Sequence, residues 1–452
     1  MANSYLNRTT GSPTLGTKVT VSAWIKISEV PGGSGTDRWL FGEYGNGSNH
    51  SYLYLRNSSE IGWYEADGSG TVASIITNRL CRDLNGWYHF MIVYDTTLST
   101  QADRFKMYIN GERQTSFSTN TNNIAQDYLP RINRTGRTYH IGGVSGYQTM
   151  FNGYMSHVAQ VDGQALAPTV FGQTDSTSGI WKFKSPTGVT WGNNGYHLKM
   201  ENSGAMGTDS SGNSNTFTVN GDLKQALDTP SNVYATLNSL PKSGVSFSYG
   251  NLQADNQSAD WTSALATFGS STGKWYAEFK VTDDASGTTR NMFGVCDARD
   301  VQIMSEDELG QNTSNRIGDT VGYSGNGTGN CLKNGSDQGS GFNTTYTIGD
   351  IISVALDCDN GAVYIAKNGT YLNSGSPTSG ASKTGAVTIT TGETYLIGGT
   401  VYSSTYQANY GNGYFGTTAI TSAGSNGNGS LFEYDVPSGY YALNTKNINT
   451  YG

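Results

Sequence analysis

Two stretches far apart in this 452-residue chain are built alike: "DRFKMYINGERQTSF" (Asp103 to Phe117) and "GAVYIAKNGTYLNSG" (Gly361 to Gly375). Each is a short apolar run, then Asn-Gly, then polar residues leading into another run. In "FKMYI" the residues Phe105, Met107 and Ile109 share one face while Lys106 and Tyr108 share the other, the period of a half-buried strand. Asn110-Gly111 supplies the positive φ angles of a tight hairpin turn. A chain written this way is restricted to antiparallel sheet. Other runs agree: "VTVSAWIKI" (Val19 to Ile27), "WYHFMIVYD" (Trp87 to Asp95), "KWYAEFKV" (Lys274 to Val281) and "DIISVALDCD" (Asp350 to Asp359). Helical periodicity is nearly absent, with "SEDELGQ" (Ser305 to Gln311) good for at most one turn.

Short strands with frequent turn signals predict an all-β chain of two tandem antiparallel β-sandwich, jelly-roll-like domains. The length is too great for one comfortable core. Each half has its own hairpin because each half is its own sandwich. The expected division is 1–221 for the first sandwich, 222–256 for a connector and 257–452 for the second. The connector carries Pro230 and Pro241 but also Leu223, Leu227, Tyr234 and Leu237, so it is expected to dock against both domains.

Charged residues are only 14% of the chain, yet 29 Tyr, 15 Phe and 8 Trp argue against disorder, which is poor in aromatics. A net charge of −8 and the lack of a basic run argue against nucleic-acid partners. No long apolar stretch predicts a membrane span, and no signal-peptide pattern opens the chain. Cys81, Cys296, Cys331 and Cys358 are too dispersed for a zinc site and read as small packed hydrophobes.

Catalytic patterns match by letter alone. "GSSTG" (Gly269 to Gly273) runs into a strand, where a nucleophile elbow needs a helix, and no His follows it. "GNGYFG" (Gly411 to Gly416) has no helix after it. Glycoside hydrolysis needs two carboxylates facing one cleft, and no acid pattern on a strand supplies them. The chain is therefore read as non-enzymatic. No His pair has metal-ligand spacing. Calcium is the one cofactor left open: "DSSGNSN" (Asp209 to Asn215) resembles a calcium loop, with Asp209 as the candidate ligand, and equally an Asx turn.

Sugar binding uses exposed aromatic faces beside amides and carboxylates. "EIGWYEADGSG" (Glu60 to Gly70) offers Trp63, Tyr64, Glu65 and Asp67, and "GVSGYQTMFNGY" (Gly143 to Tyr154) offers Tyr147. The alternative is that such aromatics are core residues and cross-strand pairs.

The first half resembles the laminin-G-like (concanavalin A-like) sandwich family through "VTVSAWIKI", "GWYHFMIVYDTT", "RFKMYINGERQ" and "FNGYMSHVAQVDGQALAPTVFG". The second half resembles a SPRY sandwich through "TGKWYAEFKV", "NMFGVCD", "DTVGYSGNG" and "IGDIISVALDCDNGAVYIAKNGTYL". The stretches "GIWKFKSPTGVTWGNNGYHLKMENSG" and "PSGYYALNTKN" are similar to ones in structural proteins of marine bacteriophages. The resemblance implies a virion surface protein made in an infected host cytoplasm. The expected role is a tail fibre or appendage component adhering to host-surface glycans, and the alternative a capsid decoration or tail structural protein binding other virion subunits. A homo-oligomer fits that setting, although no heptad or triple-helical segment specifies one.

Overall fold

The computed structural model describes residues 4–30, 37–146, 149–240, 244–284, 287, 290–304, 307–312 and 315–452. The chain divides into two compact units, Met1–Gln225 and Ala226–Gly452. Both are two-sheet antiparallel sandwiches, as the strand periodicity required.

In the first unit, a nine-stranded sheet runs in the order Phe117–Asn122, Thr71–Leu80, Glu60–Asp67, Asn49–Leu55, Arg38–Asn46, Thr138–Ile141, Tyr5–Thr9 and Thr218–Asn220, and Thr149–Met150 pairs with Arg38–Asn46 off this path. A six-stranded sheet has the order Tyr196–Leu198, Gly153–Asp162, Lys18–Ile27, Trp87–Asp95, Phe105–Ile109 and Glu112–Arg113. Between them lies one core in which Val21, Ile25, Phe41, Trp63, Phe90 and Met107 meet. The period-2 reading of Phe105, Met107 and Ile109 as the inward set is correct, since all three are buried there. The neighbouring strand Lys18–Ile27 is buried on both faces. Its outward Trp24 is covered by Phe183 of the small hairpin Gly172–Thr174/Trp181–Phe183.

The second unit repeats the plan. One sheet contains Lys274–Asp284, Ile351–Asp357, Ala362–Lys367 and Ser404–Asn409, and the other Thr262–Ser270, Met292–Asp297, Thr320–Ser324 and Tyr395–Val401. Phe279, Ile352, Val354 and Tyr406 from the first meet Phe293 and Val295 from the second. The division between units falls inside the stretch read as a connector. Leu223 packs on the first unit's core. Ala235, Leu237 and Ala254 are buried in the second, where Ser246–Ser248 and Gln253–Asn256 extend the sheet. Much of that stretch is held by single bridges, such as Leu237 with Ala266, and so carries no alternation to read.

The echoed hairpins share a device below the level of strand pattern. Asn110 and Asn368 both hold φ in the left-handed region, at 52° and 47°, followed by glycines at 78° and 79°. This is the geometry an Asn-Gly turn exists to supply. Each Asn side-chain oxygen then accepts the N–H of the residue opposite, His89 at 2.8 Å and Ile351 at 2.9 Å. Its own N–H donates to the carbonyl of that same residue. A third copy is present at Asn334, with φ 56° and Thr320 N–H at 2.9 Å. In the second unit the device is elaborated further. The Asn amide donates to an aspartate at the strand entry, Asp350 or Asp319. The lysine before the Asn, Lys367 or Lys333, pairs with that same carboxylate.

Helix is confined to short pieces. The seven residues Thr445–Tyr451 form an α-helix although they carry no helical period, started by the Asn444 side chain accepting the N–H of Asn447. The single turn expected at Ser305 to Gln311 is found earlier, at Val301–Met304, while 305 and 306 lie outside the described residues.

Candidate functional site: an aromatic face on the first unit

The outward side of the nine-stranded sheet is paved with rings. Cross-strand register sets them in rows. His140 faces Gly42, Gly42 faces Tyr52, Tyr52 faces Tyr64, and Tyr64 faces Ser74. One row further along, Tyr44 faces His50 and His50 faces Ala66. On the other side Trp39 faces Tyr54, which faces Gly62. The two glycines matter because the Tyr54 ring lies over Gly62 and the neighbouring strand, at Ser51 and Tyr52, closes on Gly42. A Cβ at Gly62 would sit 2.2 Å from the Tyr54 ring, and one at Gly42 would sit 2.6 Å from Tyr52 Cβ. Glycine inside a strand marks such a close approach.

The rings contact one another in sequence. Trp39 stacks on Tyr52 with centroids 4.4 Å apart and planes at 12°. His50 stacks on Tyr64 at 5.3 Å and on Tyr44 at 6.2 Å. Trp39, Tyr52 and Tyr54 are buried, with Val144 packed against them, while Tyr44 and Tyr64 are half-buried. The accessible end of the face is therefore Tyr44 and Tyr64, whose half-buried rings flank the buried His50. Polar rim groups surround it from two hairpin turns, which are joined by Gly68 N–H donating to the Ser48 carbonyl. Asn46 accepts from Ser48 N–H and the Asn49 amide. Asp67 accepts from Ser69 N–H, and Thr71 bonds the Tyr64 hydroxyl at 3.1 Å. Burial holds the His50 imidazole below its usual range and pushes the Tyr54 phenol up to about 12. The His50 imidazole and the Tyr54 phenol are thus both favoured in their neutral forms.

Of the sequence candidates, Tyr64 and Asp67 are on this face and its rim. Trp63 and Glu65 are not. Neighbours in a strand alternate sides, so both point between the sheets and have 0% exposure. Trp63 donates its indole N–H to the Tyr94 hydroxyl at 2.8 Å, and Tyr94 donates to Glu65 at 2.6 Å. Glu65 also accepts from the Tyr128 hydroxyl and the Arg131 N–H. Arg131 in turn clamps Glu43 through two bonds, at 2.8 and 3.0 Å. Glu43 in its ion pair and Glu65 in its hydrogen bonds form one core polar network, closed to any sugar from outside. Tyr147 lies outside the described residues.

Asp209 is saturated by its own turn. It accepts from His197 N–H, Ser211 N–H and hydroxyl, and Asn215 N–H, all at 2.8–2.9 Å. This is the Asx-turn alternative. Among the described residues no group of three or more His, Cys, Asp or Glu gathers to hold a metal, and no helix is long and apolar enough to cross a membrane. The four cysteines are free and buried.

The sequence reading passed over Trp39, His50, Tyr52 and Tyr54. The signal was present in "HSYLYL", where His50, Tyr52 and Tyr54 occupy every second position opposite Ser51, Leu53 and Leu55. An aromatic set alternating with an already apolar set means a strand with two dry faces.

None of the curated proteins compared matches the chain. Among solved structures, the SPRY domain of human HERC1 is 16% identical with a TM-score of 0.29, covering 38% of this chain and 96% of that one. A heptameric SAP-like pentraxin from Limulus polyphemus is 16% identical with a TM-score of 0.31, covering 48% and 89%. The carbohydrate binding module CBM66 from Bacillus subtilis is 8% identical with a TM-score of 0.25, covering 38% and 91%. The family model described as the concanavalin A-like lectin/glucanases superfamily matches residues 2–170, which spans the strands that carry the aromatic face. Residues 2–170 are thus similar to a laminin-G-type concanavalin A-like domain.

Proposed function

We propose that the chain is a non-enzymatic glycan-binding protein that takes saccharides at the Tyr44–His50–Tyr64 end of the aromatic face. The observation that carries this reading is the uncharged ring surface rimmed by amide, hydroxyl and carboxylate groups. A pyranose has an apolar C–H face that stacks on such rings and a hydroxyl edge that such a rim recognises. The description of the matched superfamily, concanavalin A-like lectin/glucanases, supports saccharides as the ligand class. A non-catalytic role agrees with Glu43 and Glu65, two acids of the strands that carry the face, being committed to core bonds.

Tyr64→Ala and Tyr44→Ala should each weaken binding on a glycan array at least tenfold while leaving the circular dichroism unchanged. Undiminished binding in both variants would remove the face from consideration.

The finer setting we propose is a bacteriophage particle, with this chain adhering to host-surface glycans. Its support is the likeness of "GIWKFKSPTGVTWGNNGYHLKMENSG" and "PSGYYALNTKN" to phage structural proteins. Gold-labelled antibody on intact phage should mark the tail or its appendages. Label spread over the head would replace adhesion with capsid decoration.

A further inference from the structure

The outward side of the six-stranded sheet carries a pair of histidines that the glycan reading does not use. His157 and His197 stand on paired strands, Gly153–Asp162 and Tyr196–Leu198. The His157 Nδ1 lies 3.2 Å from the His197 Nε2. Both rings are held from several sides. Phe183 stacks on His157 with centroids 3.8 Å apart, and Trp191 stacks on His197 at 5.5 Å. The His197 backbone is pinned by its N–H to Asp209 at 2.9 Å. His157 sits at φ +49°, in the register shift between Ser156 and Ala159. Positive φ is uncommon outside glycine, with histidine among the residues that adopt it more readily, and a bulge of this kind re-aims the residue it carries.

The geometry has a chemical reading. Two imidazole nitrogens bound to one tetrahedral zinc ion at about 2.0–2.1 Å stand about 3.3 Å apart. The observed separation is close to that edge. Burial holds both imidazoles down to about 4, so both are neutral at pH 7. Moving the bridging N–H to the other nitrogen of its ring would free both facing lone pairs without net proton release. The separation of forty positions between the two histidines hides the pair from any spacing rule, because strand pairing rather than sequence brings them together.

We propose that His157 and His197 form a two-histidine site for a transition-metal dication of tetrahedral preference, with Zn2+ the best fit. No third His, Cys, Asp or Glu among the described residues joins them. Two positions of a tetrahedral ion would then be completed from outside the protein, by water or an oxygen of a bound ligand, one more than in an open site with three protein ligands.

The test is calorimetric titration of the full chain with ZnCl2 at pH 7, with Co2+ absorption as a report on ligand geometry. His157→Asn is the informative variant, because Asn tolerates a positive φ and keeps the bulge while changing the ligand. One equivalent of Zn2+ bound by the wild type, weakened at least tenfold in His157→Asn and again in His197→Gln, is the expected result. No saturable uptake by the wild type, or uptake unchanged in His157→Asn, overturns the proposal. If a variant unfolds, imidazole NMR signals of the wild type decide instead. On adding Zn2+, those of His157 and His197 should shift together, and a shift at other histidines only would overturn the site.

Discussion

Replacing Asn368 with Ala would test whether the echoed hairpins are held by the Asn side chain or only by strand pairing. Two contributions set the estimate, since the exposed amide bond to Asp350 that is also lost is open to replacement by water. The Ile351 N–H loses its side-chain acceptor at 2.9 Å. Asn368 itself is exposed, so water can partly replace the bond, which places the cost in the lower part of the usual range, about 1–2 kcal/mol. The alanine must also sit at φ 47°, where a Cβ costs about 1 kcal/mol. The sum is roughly 2–3 kcal/mol, or about thirty- to 150-fold in a local opening equilibrium. Hydrogen exchange by mass spectrometry on the full chain reads that factor in peptides covering 351–369, independently of how the rest unfolds. Asn368→Gly accepts the φ without supplying the acceptor, so it should recover only the backbone share, about 1 kcal/mol. Asn110→Ala in the first unit should behave like Asn368→Ala, although no aspartate or lysine supports that copy. Exchange in Asn368→Ala within a factor of three of wild type would refute the argument. The turn residues would then be interchangeable, and the repeated Asn-Gly a matter of composition.

Trp63→Ala should cost roughly 3–5 kcal/mol by opening a core cavity, whereas Tyr64→Ala should stay within about 1 kcal/mol; chemical denaturation monitored by circular dichroism would refute the inward/outward assignment if the two were equal. Arg131→Met leaves Glu43 buried without its partner and should cost roughly 3–5 kcal/mol, with most of the loss recovered in Arg131→Met/Glu43→Leu; equal stabilities of the single and double variants would sink this. The two units should also respond to pH with opposite signs. All five histidines lie in the first unit, and burial holds each below its usual value, His89 at about 3 and His140, His157 and His197 at about 4. The unfolded chain then binds protons that the folded unit refuses, so stability falls as pH drops below about 6.5, by up to about 1.4 kcal/mol per pH unit for a fully buried histidine. Glu43 and Glu65, pushed up by burial, oppose this trend but are outnumbered. In the second unit burial pushes Glu278 up to about 7, so its folded form binds the proton more tightly and stability falls as pH rises from about 4.5 to 7. Exchange protection at pH 5 relative to pH 7.5, corrected for intrinsic rates, should drop in the first unit and rise in the second; a change of the same sign in both would contradict the assignment.

What the sequence disclosed, and what it withheld, follow from one physical distinction. Period and turn chemistry are local, so Phe105, Met107, Ile109 and Asn110-Gly111 declared a strand, its inward face and its turn without help from the rest of the chain. Which face of a strand meets what is not local. Trp63, Tyr64 and Glu65 read as one exposed cluster only while the alternation rule was left unapplied to them. Applied, it separates Tyr64 from the other two, and nothing further is needed to reject Trp63. The aromatic face itself needed one step more, because "HSYLYL" shows a strand dry on both sides but not what it faces. That depends on Gly42 and Gly62, which stand opposite Tyr52 and Tyr54 only once register is fixed. The His157–His197 pair needed still more, since it joins residues that only the strand order of the finished sheet makes neighbours. Binding chemistry in a sandwich of this kind therefore belongs to register rather than to motif. A search for glycan or metal sites in such chains should begin from strand pairing and ask which polar and aromatic side chains it places side by side.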